Sequence, residues 1–251
     1  MLFRSEQIVF YDPQRSVAAH IHGEHVLFCK PDGTVEARGN NDDGQCNVEY
    51  WDHVAAVAVS DGVSFGLRED GTVLYAGSVE EYEQVTLWSD IVDIQATREC
   101  VVGLKKDGSV VSVAMTRTSA KEEALATAEE VRNWTEIKSL ASRNFGIYGL
   151  TESGDVLVAG DEMEEVITGW TDVERLVIPN QVYGIREDGT IRANENIEAP
   201  DGRFLFFDGH LGVYEDGTIY PKNTLRYKAL ESWENLLAVS APSNFYAGSY
   251  F

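Results

Sequence analysis

The sequence predicts an all-β fold built from one small antiparallel sheet that recurs along the chain. Three observations predict it: a charged turn that ends in glycine, a second glycine in the strand before that turn, and a tryptophan ahead of most copies. The turn glycines recur at intervals of 28 to 46 residues and are Gly33, Gly71, Gly108, Gly154, Gly189 and Gly217. Self-similarity over such a period is typical of repeat architectures.

A second column of residues is aligned with the turn glycines. The position five before the turn glycine is glycine in five copies, Gly66, Gly103, Gly149, Gly184 and Gly212, and is Phe28 in the first copy. The position after this glycine is apolar or cysteine, and the second residue after each turn is Val or Ile. These aligned columns indicate that the copies share one backbone path.

The third column consists of all the tryptophans in the chain. They are Trp51, Trp88, Trp134, Trp170 and Trp233, and an aliphatic run follows each one. The last interval is much longer than the others, so we expect that the copy around Gly189 has lost its tryptophan.

Each copy is predicted to be a sheet of three to four short strands. Turns such as Glu69-Asp70-Gly71 favour hairpins because glycine accepts the positive φ that tight turns require. The flanking runs are rich in Val, Ile, Tyr and Phe, as strands are. A sheet this small cannot bury both faces alone, so neighbouring copies must stack, and radial stacking gives a β-propeller.

One segment carries a resemblance to a known family. It runs from His25 through Asp32-Gly33-Thr34-Val35, Gly39 and Gly44-Gln45-Cys46 to Trp51. It resembles the repeat of the regulator of chromosome condensation family, and it is most similar to the bacterial branch. The resemblance implies a seven-bladed β-propeller, closed by pairing of N-terminal and C-terminal strands in one blade. We expect strands over 7–11, 236–239 and 245–251 to form that blade, although six blades remain open because the copy around Gly189 is short.

The chain is expected to form a single domain, 1–251, with one helical insertion at about 114–133. The stretch 119–132 is rich in Ala, Glu and Leu, with Ser119 as N-cap and Glu122 and Glu123 in the first turn. The helix either projects from one blade or covers a blade edge.

Acidic loops recur six or more residues after the turn glycines, at 41–43, 80–83, 161–165 and 195–201. In a propeller the loops that differ between copies carry binding. We therefore predict a partner-binding face made of Asp42, Asp43, Glu80, Glu81, Tyr82, Glu83, Asp161, Glu162, Glu164 and Glu165. Such a face suits a cationic protein, and a solvated loop set is the alternative.

Composition restricts the partners further. The formal net charge is −22, from 42 acidic and 20 basic residues. Such a field repels phosphate backbones and anionic membranes, so neither nucleic acid nor membrane is an expected partner. With no apparent signal peptide and three widely spaced cysteines, Cys29, Cys46 and Cys100, a cytoplasmic protein with structural thiols is expected.

Histidines near the first copy suggest a metal, because His20 and His22 alternate on a strand. However, His25 matches a histidine that recurs in the family repeat, so the resemblance implies a structural role for it. No cofactor and no metal are expected.

The sequence shows no catalytic constellation. No serine lies in a nucleophile-elbow motif, and no phosphate-binding glycine loop precedes a helix. We therefore expect a non-enzymatic protein-interaction module, which agrees with family members that act through protein contacts. The alternative is a small-molecule, metal or enzyme site at the central channel opening, lined by His22, Asp61, Arg98, Arg143, Asn180, His210 and Asn244.

Overall fold

A computed structural model describes residues 17–19, 25–30, 32–98, 100–115, 120–143, 145–160, 167, 169–178, 182–193, 199–207, 212–216 and 218–220. These residues form three-stranded antiparallel sheets, each made of three consecutive strands. The chain divides into two compact units, Met1–Trp134 and Thr135–Phe251. The expectation of an all-β chain of short antiparallel sheets is confirmed.

Unit 1 contains three sheets, β1-β2-β3, β4-β5-β6 and β7-β8-β9. Their strands are β1 Val17–Ala19, β2 His25–Cys29, β3 Val35–Gly39, β4 Val54–Ser60, β5 Val63–Arg68, β6 Val73–Gly77, β7 Ile91–Ala96, β8 Cys100–Lys105 and β9 Val110–Ala114. A 3₁₀ segment, Glu80–Leu87, and the helix α1, Lys121–Arg132, follow β6 and β9.

Unit 2 contains the sheets β10-β11-β12, β13-β14-β15 and β16-β17-β18. Their strands are β10 Ile137–Arg143, β11 Gly146–Thr151, β12 Val156–Ala159, β13 Val173–Val177, β14 Tyr183–Arg186, β15 Ile191–Ala193, β16 Phe204–Phe207, β17 Gly212–Tyr214 and β18 Ile219–Tyr220. A seventh blade from 7–11, 236–239 and 245–251 lies outside the described residues, so the blade count and the single domain stay predictions.

The core of each unit lies between consecutive sheets. In unit 1, one cluster joins the first two sheets through Leu27 and Trp51. A second cluster joins the next two sheets through Phe65, Ile94 and Val101. The middle sheet of unit 1 therefore buries both of its faces against its neighbours, as the stacking argument requires.

The tryptophan of each of these copies packs against the glycine in the middle strand of its sheet. A Cβ on Gly66 would lie 2.8 Å from the ring of Trp51, and one on Gly103 would lie 3.0 Å from the ring of Trp88. The ring lies against the backbone of the middle strand, where no Cβ fits. This contact explains why both columns occur together in the sequence.

The same contact corrects the assignment of the copy that lacks tryptophan. A Cβ on Gly184 would lie 3.2 Å from the ring of Trp170, so this tryptophan belongs to the sheet that includes β14 and the turn at Gly189. No tryptophan precedes the first sheet, because Trp51 is the first in the chain, and the other copy without one is the sheet β16-β17-β18. There, Phe204 packs against Tyr214 with ring centroids 4.3 Å apart.

A backbone hydrogen bond links the turn glycine of one sheet to the first strand of the next. The carbonyl of Gly33 accepts from the N–H of Val54 at 3.0 Å, and that of Gly71 accepts from Ile91 at 3.1 Å. In unit 2, Gly154 and Gly189 accept from Val173 and Phe204 in the same way, at 3.0 and 2.9 Å. We call this bond the turn latch.

The latch requires an unusual backbone next to it. The second residue after the tryptophan has positive φ in four copies, namely His53, Asp90, Glu136 and Asp172. A Cβ on Gly33, itself at φ +78°, would lie 3.1 Å from the Cα of His53. Glycine is therefore needed at this turn for two reasons: its positive φ, and the close approach of the backbone at His53, which leaves little room for a Cβ.

Helix α1 covers the edge of the third sheet. It buries Ala124, Ala128 and Val131, and the hydroxyl of Ser112 in β9 donates to the carbonyl of Ala128 at 2.6 Å. The structure therefore favours the edge-covering role over a projecting helix. The expectation of Ser119 as N-cap is wrong: the helix begins at Lys121, so its N-cap is Ala120, which has no side-chain oxygen to cap it.

Glu122 and Glu123 are in the first turn of α1, as expected. No helix in the described ranges is long and apolar enough to cross a membrane.

The charged turns are stabilised by their aspartates. In the turn of the second sheet, the carboxylate of Asp70 accepts from the backbone N–H of Thr72 at 3.0 Å and from its hydroxyl at 2.6 Å. These bonds to the ionised form hold the pKa of Asp70 below its ordinary value. Asp32, Asp107 and Asp188 make the same pair of bonds, and their pKa values are lowered for the same reason.

We predict that Gly66→Ala destabilises the protein by about 1 to 3 kcal/mol, because the added methyl overpacks the site against Trp51. Urea unfolding measures the loss. In a Trp51→Leu background the same substitution should cost much less, because the ring face is gone. An equal cost in both backgrounds would contradict the contact.

We also predict that the aspartate turns make stability fall in acid. The lowered pKa of Asp70 means that the folded state binds fewer protons than the unfolded state. Its contribution is therefore present above the ordinary aspartate pKa and is lost as the pH falls below about 4. Asp70→Asn should flatten the decline of Tm between neutral pH and pH 3. Glu69→Gln, which removes the neighbouring charge but spares the bonds to Thr72, is the control, and an equal effect of both would refute the assignment.

Candidate functional site: the acidic linker face

Two linkers carry the described part of the predicted binding face. Linker 1 is the stretch 40–50 between β3 and β4, and linker 2 is the stretch 78–87 between β6 and β7. The hydroxyl of Ser78 in linker 2 donates to Oδ1 of Asp43 in linker 1 at 2.8 Å. The structure thus joins the acidic linkers of two successive copies at this point, and we call the surface of the two linkers the acidic linker face.

Linker 1 is ordered by side chains that bond to its own backbone. Asn40 Oδ1 accepts from the N–H of Asp42 at 2.7 Å, and Asn41 Oδ1 accepts from the N–H of Cys46 at 2.7 Å. Asn41 also donates to Asn47 at 2.9 Å. Asparagine side chains often replace regular secondary structure in this way, so Asp42 and Asp43 are held in place without a helix or strand.

Hydrogen bonds to the buried residue Gln45 hold the backbone of Asp43 in position. Gln45 is 2% exposed, and its Oε1 accepts from the N–H of Asp43 at 3.0 Å. Its backbone carbonyl accepts from the hydroxyl of Ser64 in β5 at 2.7 Å. This arrangement connects the position of the acidic residue to the second sheet.

His25 completes the network. Its Nε2 lies 2.9 Å from the Ser64 hydroxyl, and since that hydroxyl donates to Gln45, Nε2 is the donor of this bond. His25 is buried and joins β2 to β5, so it has the structural role that the family resemblance implied. His20 and His22 lie outside the described residues.

Linker 2 separates its acidic residues from an apolar side. Glu80 and Glu83 are exposed, and Glu81 is half-buried. The inclusion of Tyr82 among the partner contacts is corrected, because this side chain is 0% exposed and packs edge-on against Phe65 with centroids 5.2 Å apart. Residues three apart eclipse in a 3₁₀ segment, so Tyr82 and Val85 form its buried side. Burial also raises the pKa of Tyr82.

Other predicted acidic residues are not placed. Asp161, Glu162, Glu164 and Glu165 lie outside the described residues, as do positions 195–198. Asp201, at the end of the fourth acidic loop, is exposed in unit 2. Only the linkers of unit 1 therefore define the geometry of the face.

The residues expected at a channel opening are partly described. Asp61, in the turn after β4, accepts from Arg98, in the turn after β7, with Nε and Oδ2 2.9 Å apart. His22, Asn180, His210 and Asn244 lie outside the described residues. Within the described ranges, no group of three or more His, Cys, Asp or Glu is arranged to hold a metal ion.

Two of the three thiols of unit 1, those of Cys46 and Cys29, have a raised pKa. Cys46 donates to the carbonyl of Asn40 at 3.1 Å, and Cys29 donates to that of Val54 at 3.1 Å. Burial raises the pKa of both thiols, and the nearby Asp32 raises that of Cys29 further. Neither has the lowered pKa of a nucleophilic cysteine.

Sequence reasoning missed two exposed apolar residues at the ends of these linkers. Tyr50 ends linker 1 and is 86% exposed, and Leu87 ends linker 2 and is 84% exposed. Each lies directly before a buried or half-buried tryptophan, so in the sequence it looks like part of an apolar stretch. Their shared position before the tryptophan was the signal that could have identified them.

No family model matches the sequence, and no curated protein matches it by sequence. Solved structures do match in fold. The CRINKLY WD40 ectodomain of the Arabidopsis thaliana receptor kinase ACR4 is similar with a TM-score of 0.55 and 15% identity, covering 82% of this chain and 79% of that chain. Prp20p of Saccharomyces cerevisiae is similar with a TM-score of 0.53 and 14% identity, covering 81% of this chain and 70% of that chain.

The ectodomain of the Physcomitrella patens receptor kinase CR4 is also similar, with a TM-score of 0.53 and 14% identity over 72% of this chain and 52% of that chain. At these identities the likeness shows the fold alone. The fold is that of a β-propeller protein, in agreement with the three-stranded antiparallel sheets of the described chain.

We predict that Ser64→Ala destabilises the protein by about 1 to 3 kcal/mol, because it removes the partner of two buried groups, His25 Nε2 and the carbonyl of Gln45. Denaturant unfolding measures the change. Ser78→Ala, which removes an exposed hydroxyl from the same face, is the matched control and should change stability by less than about 0.5 kcal/mol. Equal losses in both variants would show that the buried network has no special weight.

Proposed function

We propose that this chain is a non-enzymatic protein-interaction module whose acidic linker face binds a cationic protein. The observation that carries the proposal is the bond between Ser78 and Asp43, which holds two acidic linkers side by side. Asp42, Glu80 and Glu83 are exposed on these linkers, so their carboxylates are open to a partner. Complementary charge at such a face gives orientation and a faster encounter.

The fold neighbours support an interaction role. Prp20p has binding properties to Gsp1p and histones, and in another structure yeast RCC1 (Prp20) is bound to Kap60, with a TM-score of 0.52 to this chain. Combined with the repeat resemblance, these neighbours support membership of the regulator of chromosome condensation family as part of the proposal. Binding residues are often on loops that a rigid scaffold holds in position.

The absence of catalysis is also part of the proposal. The carboxylate of Asp61 is engaged by Arg98, and Cys29 and Cys46 are protonated thiols. The one carboxylate expected at the channel opening is thus paired with an arginine, and neither of these two thiols is activated as a nucleophile.

Charge reversal tests the proposal. The wild-type protein and Glu80→Lys/Glu83→Lys are immobilised and exposed to an extract of the source cells, and the retained proteins are identified by mass spectrometry. We expect a basic protein to be retained in stoichiometric amount by the wild type, and its retention to fall at least about tenfold in the variant because opposite charges become like charges.

The matched control is Glu122→Lys/Glu123→Lys, which makes the same change of net charge on helix α1. It should retain the partner at the wild-type level, and added lysozyme measures non-specific attraction of basic proteins. Equal loss in both reversal variants would indicate net charge alone, and retention in both would refute the acidic linker face.

A further inference from the structure

Linkers 1 and 2 share a feature that the proposed binding of a cationic protein leaves unexplained: an exposed apolar residue at the end of each linker. Each carries acidic residues and ends with an exposed apolar one. Linker 1 runs from Asp42 and Asp43 to Tyr50, and linker 2 runs from Glu80 and Glu83 to Leu87. The two apolar residues have the highest exposure of the large hydrophobic residues in the described ranges, 86% and 84%.

The two residues are in the same local geometry. In linker 1 the N–H of Trp51 donates to the carbonyl of Val48 at 3.0 Å, and in linker 2 the N–H of Trp88 donates to that of Val85 at 3.0 Å. The tryptophan ring after each turn is fixed against a middle-strand glycine. The residue before it is therefore directed outward in both copies.

The apolar character is specific to these two linkers. The turn before Trp134 and the turn before Trp170 have the same backbone bond, at 3.1 and 3.0 Å. The residues at the corresponding position are Asn133 and Gly169. The turn itself thus accepts a polar residue or glycine, so neither Tyr50 nor Leu87 is required by the fold.

The surroundings of both residues are acidic. Glu49 directly precedes Tyr50, and Glu83 and Asp90 lie within four residues of Leu87. A partner that covers the apolar residues must therefore be basic around its own apolar groups. A second copy of this chain would bring like charge to the same surface, because its net charge is −22.

We propose that linkers 1 and 2 together bind a basic peptide segment with two apolar side chains, which contact Tyr50 and Leu87. Lysine and arginine residues of the segment pair with Asp42, Glu80 and Glu83. Exposed tyrosine and leucine side chains of this size supply apolar contact that carboxylates cannot, and tyrosine is enriched among residues that dominate binding energy. The inference rests on the proposed function, and it adds the form of the partner.

A display library of random 16-residue peptides tests the inference. Peptides are selected on the wild-type protein and counter-selected on Tyr50→Ser/Leu87→Ser, and a synthetic peptide from the enriched set is measured by fluorescence anisotropy. We expect enriched sequences with several Lys or Arg residues around two apolar ones. The double variant should bind the peptide at least about tenfold more weakly, as for loss of dominant contacts.

Further variants separate the outcomes. Leu125→Ser removes an exposed leucine from helix α1 and should leave binding unchanged. Raising the salt concentration should weaken the wild type but preserve the ratio between wild type and Tyr50→Ser/Leu87→Ser, because only the charged contacts are screened. Thermal melts confirm that each variant is folded.

Two results would overturn the inference. If enriched peptides lack paired apolar residues, or bind the double variant as tightly as the wild type, while Glu80→Lys/Glu83→Lys abolishes binding, only the charged face remains supported. If concentration-dependent dimerisation is lost in Tyr50→Ser/Leu87→Ser, the surface binds a second copy instead. If no selected peptide depends on either pair of residues, both this inference and the acidic linker face fail as a peptide site.

Discussion

The contact between a tryptophan ring and the backbone of a middle-strand glycine is the constraint on which the rest of this structure depends. The ring of Trp51 reaches Gly66 so closely that a single added methyl group would overlap it. Because the ring packs at that place, the position of the last linker residue is set by the tryptophan and does not depend on the path of the linker. Whatever residues a linker contains, its last residue therefore takes the same position before the ring, which is why Tyr50 and Leu87 are in equivalent places.

The turn latch complements this contact. It connects the turn of one sheet to the first strand of the next, so each sheet positions its successor through short, local steps. This arrangement requires a left-handed backbone at four non-glycine residues. His53, Asp90 and Asp172 are of types that adopt it more readily than most, whereas Glu136 is not. The ring contact and the latch together account for the shared residues of the repeat. They do not account for the exposed acidic and apolar residues of linkers 1 and 2, namely Asp42, Glu80, Glu83, Tyr50 and Leu87.

The sequence was a good guide wherever a residue type serves the same purpose in every copy. The glycine and tryptophan columns predicted the strands and turns because the ring of the tryptophan leaves little room for a Cβ on the middle strand. It was a poor guide where a neighbouring sheet decides the outcome. Tyr82 is buried because its 3₁₀ segment packs against the second and third sheets, and the bond between Ser78 and Asp43 joins residues of different copies. The spacing of residues within one copy predicts neither the burial of Tyr82 nor this bond between copies.

The proposed binding surface combines charged contacts with apolar contacts, and the two have different effects on binding. At physiological ionic strength the field of exposed carboxylates reaches only about 8 Å, so Asp42, Glu80 and Glu83 act on a partner that has already come near. They favour the correct orientation and speed association. Apolar contact at Tyr50 and Leu87 is not screened, and it acts mainly by slowing dissociation. Because both kinds of residue are on the same two linkers, which Ser78 and Asp43 hold together, one extended segment is the simplest ligand that uses them all.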